Sequence, residues 1–185
     1  YIENSNESLV LLYLGSDSHS LDGSIYAQCK KKIGNSDHLP RFCDPDIYRY
    51  FFNKVQDCIM DGIITAGHDI SDGGLITTIL EMCFASNKGC VLNIIDNIPI
   101  YNLLFSQEMG IVVSTKDAAI LMDIFTETVG VIYLGEVVDE DYIDISYNGE
   151  GILFEKITKY RDLWDSPSRS LETYQTTKEC IDMDK

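Results

Sequence analysis

The chain has 185 residues, 45% of them hydrophobic and 24% charged, enough apolar material to bury a core and too much for a disordered chain. One domain is the simplest partition at this length. Thirty acidic and fourteen basic residues give a net charge of −16, which argues against nucleic acid, whose phosphates that field repels. No apolar run reaches the ~20 residues of a membrane helix, so neither nucleic acid nor membrane is an expected partner.

In chain order, "SLVLLYLG" (8–15) reads as a buried strand, and "SDSHSLDG" as a polar loop leading into a short helix, "SIYAQCKKKI". The chain opens at Tyr1, soon before this strand and with no basic-then-apolar leader, which points to a domain cut from a longer polypeptide. "CDPDIYRYFFNKVQDCIMDG" carries helix signals: Asp44 as N-cap, Pro45 at the first helical position, Gly62 at the end. Ile47, Tyr50, Phe51, Val55, Cys58 and Ile59 form its apolar stripe, and the aromatic group Tyr48, Tyr50, Phe51 and Phe52 is expected in the core. "IITAG" is a short strand, and "GLITTILEMCFASNKG" a helix with Leu75, Ile76, Ile79, Leu80 and Cys83 inward and Gly89 as its stop.

"CVLNI" then reads as a strand, "IYNLLFSQEMG" as a short helix, and "GIVVST", "KDAAILMDIFTETVG" and "VIYLGEVV" as a strand–helix–strand unit. "YIDISYNGEGILFEKI" alternates around Asn148-Gly149, a hairpin signal. The tail is expected as a helix interrupted at Pro167, with Trp164 and Tyr174 available for docking. The fold class is therefore α+β, with helices covering a mostly antiparallel or mixed sheet. The expected organisation is a body over 1–160 and a helical C-terminal extension over 161–185.

The six cysteines, at 29, 43, 58, 83, 90 and 180, form no C-x-x-C pair. With three scattered histidines they suit reduced thiols packed as small hydrophobes in the cytoplasm better than zinc. His19 and His38 lie in polar stretches and are expected at the surface. The lysines at 30–32 read as a helix-end charge run.

One stretch carries chemistry. "GHDISDGG" (67–74) joins a short strand to a helix, where unpaired N–H groups favour anions. Gly73 and Gly74 would admit a ligand close to the backbone, Asp69 could hold Mg²⁺, Ser71 could donate a hydroxyl, and Asp72 could cap the helix. An ordinary capped turn explains the spacing equally well, and His68 reads as a structural histidine. No serine, cysteine or lysine stands in a nucleophile context, so no catalytic residue is assigned.

"HDISDGGLITTILEMCFASNKG" resembles the signature of the last aminoimidazole-ribonucleotide-synthase-like domain in the phosphoribosylformylglycinamidine synthase family. "LLYLGS…LDGSIYAQ", "LLFSQEMGIVV", "YLGEV" and "LWDSPSRSLETYQ" resemble it in order along nearly the whole chain. "LDGS" at 21–24 departs from the family's Gly-Gly-Ser. The resemblance implies part of an ATP-dependent ligase of purine biosynthesis, which makes formylglycinamidine ribonucleotide from formylglycinamide ribonucleotide and glutamine-derived ammonia. It implies Asp69 as a metal ligand, Ser71 with Gly73 and Gly74 at nucleotide or substrate, and Mg²⁺ with ATP or ADP as cofactors. The expected partners are the remaining synthetase domains and a glutaminase domain of the same polypeptide, without which the fragment is inactive. A non-catalytic scaffold relative and a small synthetase or kinase of the same superfamily are the alternatives.

Overall fold

The computed structural model describes residues 1–14, 19–32, 44–125 and 129–176. His38, Cys43 and Cys180, and the expectations attached to them, lie outside these. The strands are β1 (Ser8–Tyr13), β2 (Ile64–Asp69), β3 (Gly89–Ile94), β4 (Gly110–Thr115), β5 (Gly130–Val138), β6 (Ile143–Tyr147) and β7 (Glu150–Glu155). The helices are α1 (Ile25–Cys29), α2 (Pro45–Met60), α3 (Gly74–Ser86), α4 (Ile100–Phe105), α5 (Ala118–Phe125) and α6 (Ile157–Glu172).

The strands form one sheet in the order β2-β4-β1-β5-β3-β6-β7. Every pairing is antiparallel except β3 with β6, which gives the expected α+β class with a mixed sheet. The unit β4–α5–β5 does not pair its own strands: β1 lies between them, and α5 packs over β1 and β5.

A core covers each face. Leu9 and Leu11 of β1 point into one, with Leu75, Ile76 and Ile79 of α3, Leu103 and Leu104 of α4 and Ile157 of α6. Val10 and Leu12 point into the other, with Phe51, Val55 and Cys58 of α2 and Leu121 and Phe125 of α5. The period-two side-chain alternation of a strand therefore feeds both cores, and β1 reads as a continuous apolar run because neither face meets water.

Local chemistry sets the boundaries. Asp44 Oδ1 accepts from the Asp46 amide at 2.8 Å, with Pro45 at the first turn, as the sequence requires. The hairpin turns at Asn148 and Gly149, with φ of 50° and 82°, the left-handed pair of a type I′ turn. The end of α3 falls earlier than expected: Asn87, with φ of 51°, is the left-handed residue there, and Gly89 opens β3 instead. Asn tolerates this conformation better than most side chains.

Three further expectations fail. His19 is buried at 2% exposure, with its ring edge-to-face on Tyr13 at 4.7 Å and Nδ1 3.3 Å from Ser106 Oγ; long-range contacts, not the polarity of its neighbours, decide its place. Of the α2 aromatics only Phe51 is in the core, while Tyr48, Tyr50 and Phe52 are exposed, as are Ile47 and Ile59 of the expected stripe. An amphipathic period fixes which residues share a face but not how much of that face the sheet covers. Finally, α6 runs unbroken through Pro167. Proline has no N–H for the Leu163 carbonyl, and the Ser166 hydroxyl supplies that bond at 2.8 Å.

Helix α6 docks through Trp164, whose Nε1–H donates to Glu81 Oε1 at 3.0 Å and whose ring lies 6.0 Å from that of Phe84. Arg161 donates to the Phe84 carbonyl at 2.8 Å. Tyr174 is exposed. Cys58, Cys83 and Cys90 are buried unbridged thiols, as expected, and Cys29 is exposed. The Cys83 contact and burial together push the Cys90 thiol well up, so it stays protonated.

A buried carboxylate pins the β2 end of the sheet to β1. Glu7, 2% exposed, accepts from Thr65 Oγ1 at 2.6 Å, Ser114 Oγ at 2.6 Å and Asn4 Nδ2 at 2.9 Å. Burial pushes its pKa up, but the Ser114, Thr65 and Asn4 hydrogen bonds and the charge of Lys116 outweigh it, and the net shift is downward. A depressed carboxylate adds stability above its unfolded pKa and loses it as pH falls through the folded one. Glu7→Gln should therefore destabilise the fold by about 1–3 kcal/mol at neutral pH. The gap to wild type in urea midpoints should close in acid, below the ordinary glutamate pKa of about 4.3.

Candidate functional site

The acidic loop hangs between β2 and α3 at an edge of the sheet. Its start is held by the strand ladder: His68 lies opposite Val112, Asp69 opposite Ile111, and the Ile70 amide donates to the Gly110 carbonyl at 2.8 Å. The Asp69 carbonyl accepts from Thr78 Oγ1 of α3 at 3.2 Å and from His68 Nδ1 at 2.8 Å. The main chain of Asp69 is thus clamped from two elements, while its side chain stands 76% exposed.

His68 and Asp69 remain in contact, with His68 Nδ1 3.6 Å from Asp69 Oδ1, while the two side chains also reach different helices. His68 turns toward α3, with Nε2 3.3 Å from Glu81 Oε2; both are charged pairs only when the ring is protonated. Glu81 thereby holds His68 with one oxygen and Trp164 of α6 with the other. The sequence reading assigned His68 a structural role but could not supply Glu81, which lies thirteen positions on and meets it only through the packing of α3. Asp69 opens toward α2, where it lines two adjoining clefts of about 320 and 380 Å³. Val55 and Ile111 line both; Ile59 and Val113 line the first, Tyr48 and Phe52 the second.

The turn itself is built on two left-handed glycines, Gly73 with φ of 90° and Gly74 with φ of 75°. A Cβ on Gly74 would lie 2.7 Å from the Ser106 carbonyl oxygen and 2.8 Å from the Phe105 carbonyl carbon. The close backbone approach that a glycine permits is used here by the chain's own α4 end. A Cβ on Gly73 would meet the side chain of Thr77. Asp72 does not cap α3: Gly73 is the N-cap and no side chain bonds it. The Asp72 carboxylate instead accepts from Gln107 Nε2 at 3.1 Å. Ser71 is exposed, and its carbonyl accepts from the Gly74 amide at 3.0 Å.

The donor set limits what could bind. Among the described residues no group of three histidine, cysteine, aspartate or glutamate side chains could hold a metal. Asp69 could offer a cation one exposed carboxylate, with the rest of any shell left to water or ligand oxygens. The structure brings Asp69, Ser71, Gly73 and Gly74 into one turn; the polar side chains beside it that sequence reasoning missed are Glu81, Thr78 and Gln107.

The family model described as AIR synthase related protein, C-terminal domain, matches residues 7–148. Over 176 residues the chain is 36% identical to the Arabidopsis thaliana protein named probable phosphoribosylformylglycinamidine synthase, chloroplastic/mitochondrial, covering 93% of this chain and 12% of that one. It is 29% identical over 180 residues to the Homo sapiens phosphoribosylformylglycinamidine synthase, covering 94% of this chain and 13% of that one. The chain therefore spans about an eighth of the length of these relatives. Among solved structures, Thermotoga maritima PurL complexed with ATP superposes with a TM-score of 0.65 at 15% identity, over 85% of this chain and 26% of that one. The hydrogenase maturation protein HypE superposes at 0.54 with 14% identity, over 83% of this chain and 54% of that one. At these identities the superpositions speak for the fold.

Gly74→Ala tests the turn. A side chain in the left-handed region costs about 1–3 kcal/mol, and the clash with the α4 backbone adds to it. The thermal midpoint should fall by more than it does for Gly149→Ala, whose Cβ would meet nothing within 4 Å.

Proposed function

The chain belongs to the AIR synthase related protein C-terminal domain family, and from that premise we propose that it is part of a phosphoribosylformylglycinamidine synthase. In this reading the whole protein is an ATP-dependent ligase of purine biosynthesis that takes glutamine-derived ammonia. The likeness to the Arabidopsis and human synthases over nearly all of this chain supports it. This chain contributes the loop at Asp69, and the other synthetase domains and a glutaminase domain contribute the rest. The extension beyond residue 160 leads toward those domains. A reducing compartment such as the cytoplasm suits its buried thiols, and among the described residues no helix is long and apolar enough to cross a membrane.

The observation that carries the site assignment is the contrast at Asp69, a clamped backbone bearing an exposed carboxylate beside a glycine turn. A fixed carboxylate costs little reorganisation when it takes a cation. Mg²⁺, when bound, would supply positive charge between carboxylate and phosphate. Asp69 would hold the ion and the Ser71 hydroxyl would donate to a phosphate oxygen of ATP or ADP, with Gly73 and Gly74 in the adjoining turn close to the nucleotide. Asp69, Asp72 and Glu81 all lie close to this turn, so a phosphate would be repelled without the cation. None of the chain's own groups serves as nucleophile or general base in this scheme; its task is placement.

Asp69→Asn in the whole protein tests the reading. Loss of the carboxylate should weaken Mg·ADP binding at this site by about tenfold or more, equivalent to ~1.4 kcal/mol per factor of ten, with fold stability nearly unchanged because the side chain is exposed. Titration calorimetry reads the affinity and a ligase assay the activity. Equal affinity and equal activity in the variant would remove Asp69 from the site.

A further inference from the structure

The segment linking α4 to β4 carries three consecutive polar residues that diverge into the structure. Ser106 is buried, with Oγ 3.3 Å from Nδ1 of the buried His19. Glu108, also buried, lines with His19, Ile70 and Leu75 a small cavity beneath the acidic loop. Gln107, between them, is half-buried and joins three separate parts of the chain. Its Nε2 donates to the Ser71 carbonyl at 3.3 Å and to Asp72 Oδ1 at 3.1 Å, and its Oε1 accepts from the Ile25 amide, in the first turn of α1, at 3.2 Å.

We propose that Gln107 is the positioning residue of the acidic loop: a neutral amide that fixes Ser71 and the direction of the Asp72 carboxylate, and ties both to α1. An amide suits the place because its two ends do different work. The acceptor end serves a backbone N–H, while the donor end meets two oxygens, a carbonyl and a carboxylate, which can only accept. Glutamate would keep the first bond and turn the second into oxygen against oxygen. The loop is otherwise held on its β2 side by Thr78 and the β4 ladder and closed by the Ser71–Gly74 turn. Gln107 is the side-chain brace the structure gives to Ser71 and Asp72. This deepens the proposed function and rests on it insofar as the braced loop receives a magnesium nucleotide.

Gln107→Glu in the whole protein separates the two ideas. Hydrogen exchange of the backbone amides at 70–74 reads the brace without any ligand, and Mg·ADP titration reads its consequence. Exchange at these amides should rise about tenfold, as expected for losing a hydrogen bond to a charged partner, while the core strands stay protected; Mg·ADP affinity should fall several-fold. Adding Asp72→Asn lets residue 72 donate to the new carboxylate and should restore part of both protection and affinity, the Ser71 bond staying lost, which general destabilisation would not allow. Unchanged exchange, faster exchange with unchanged affinity, or no recovery in the double variant overturns the proposal. If instead Asp69→Asn leaves Mg·ADP binding intact, the reading of the site fails while the exchange result still reports on the brace.

Discussion

The geometry of the acidic loop depends on the contact between Gly74 and the end of α4, where two backbones approach too closely for any Cβ. Because α3 can start that close to Phe105 and Ser106, residues 106–108 come within reach of the loop. The same contact stacks α3 beside α4 on one face of the sheet and lets Leu75 and Leu103 enter one core. The two glycines of the motif, which in sequence suggest an opening for a ligand, are in the structure first a condition for helix packing. Asp69, at the end of β2, and Ser71 are both exposed beside that turn.

The charge of the chain shapes what that turn can do. With −16 overall and three carboxylates around the loop, an anion gains little from a helix N-terminus worth a fraction of a unit charge. The carboxylates are instead spaced apart. Glu81 is engaged with His68 and Trp164 on the α3 face, and Asp72 with the Gln107 amide, so each has its direction fixed by a partner. Asp69 projects on the α2 side, 76% exposed, with His68 Nδ1 3.6 Å from its Oδ1. Distributing like charges over different faces lowers their mutual repulsion, and it leaves one of them exposed where a cation can reach it.

What the sequence made legible was local. The Asp44-Pro45 start of α2, the Asn148-Gly149 turn and the doubly buried run of β1 each follow from a few neighbouring residues, and each lies where the pattern puts it. The candidate site was legible in the same sense: Asp69, Ser71, Gly73 and Gly74 are contiguous, so their turn could be read directly. Its supports were not. Glu81, Thr78 and Gln107 reach the loop from other elements, and nothing in a linear pattern tells Gln107 that it will lie against Ser71, thirty-six residues away. His19 was misplaced for the same reason, since its burial comes from Tyr13 and Ser106, one of them distant in sequence. Pro167 shows a local rule yielding to a local remedy, one hydroxyl taking the bond that the ring cannot make.

The position of the loop at a sheet edge follows from these constraints. Among the described residues β2 pairs only with β4, and α2 leaves Tyr48, Phe52 and Ile59 exposed beside it. An interior strand such as β1 could not carry Asp69, because both its faces are filled by apolar side chains and a carboxylate there would need the kind of full hydrogen bonding that Glu7 receives. Glu7 and Asp69 are thus opposite solutions for one side-chain chemistry: saturated with donors, a carboxylate becomes a structural bolt between strands. Left exposed on a clamped backbone at the edge, with the His68 ring 3.6 Å away, it stays open to solvent in a way the saturated Glu7 does not.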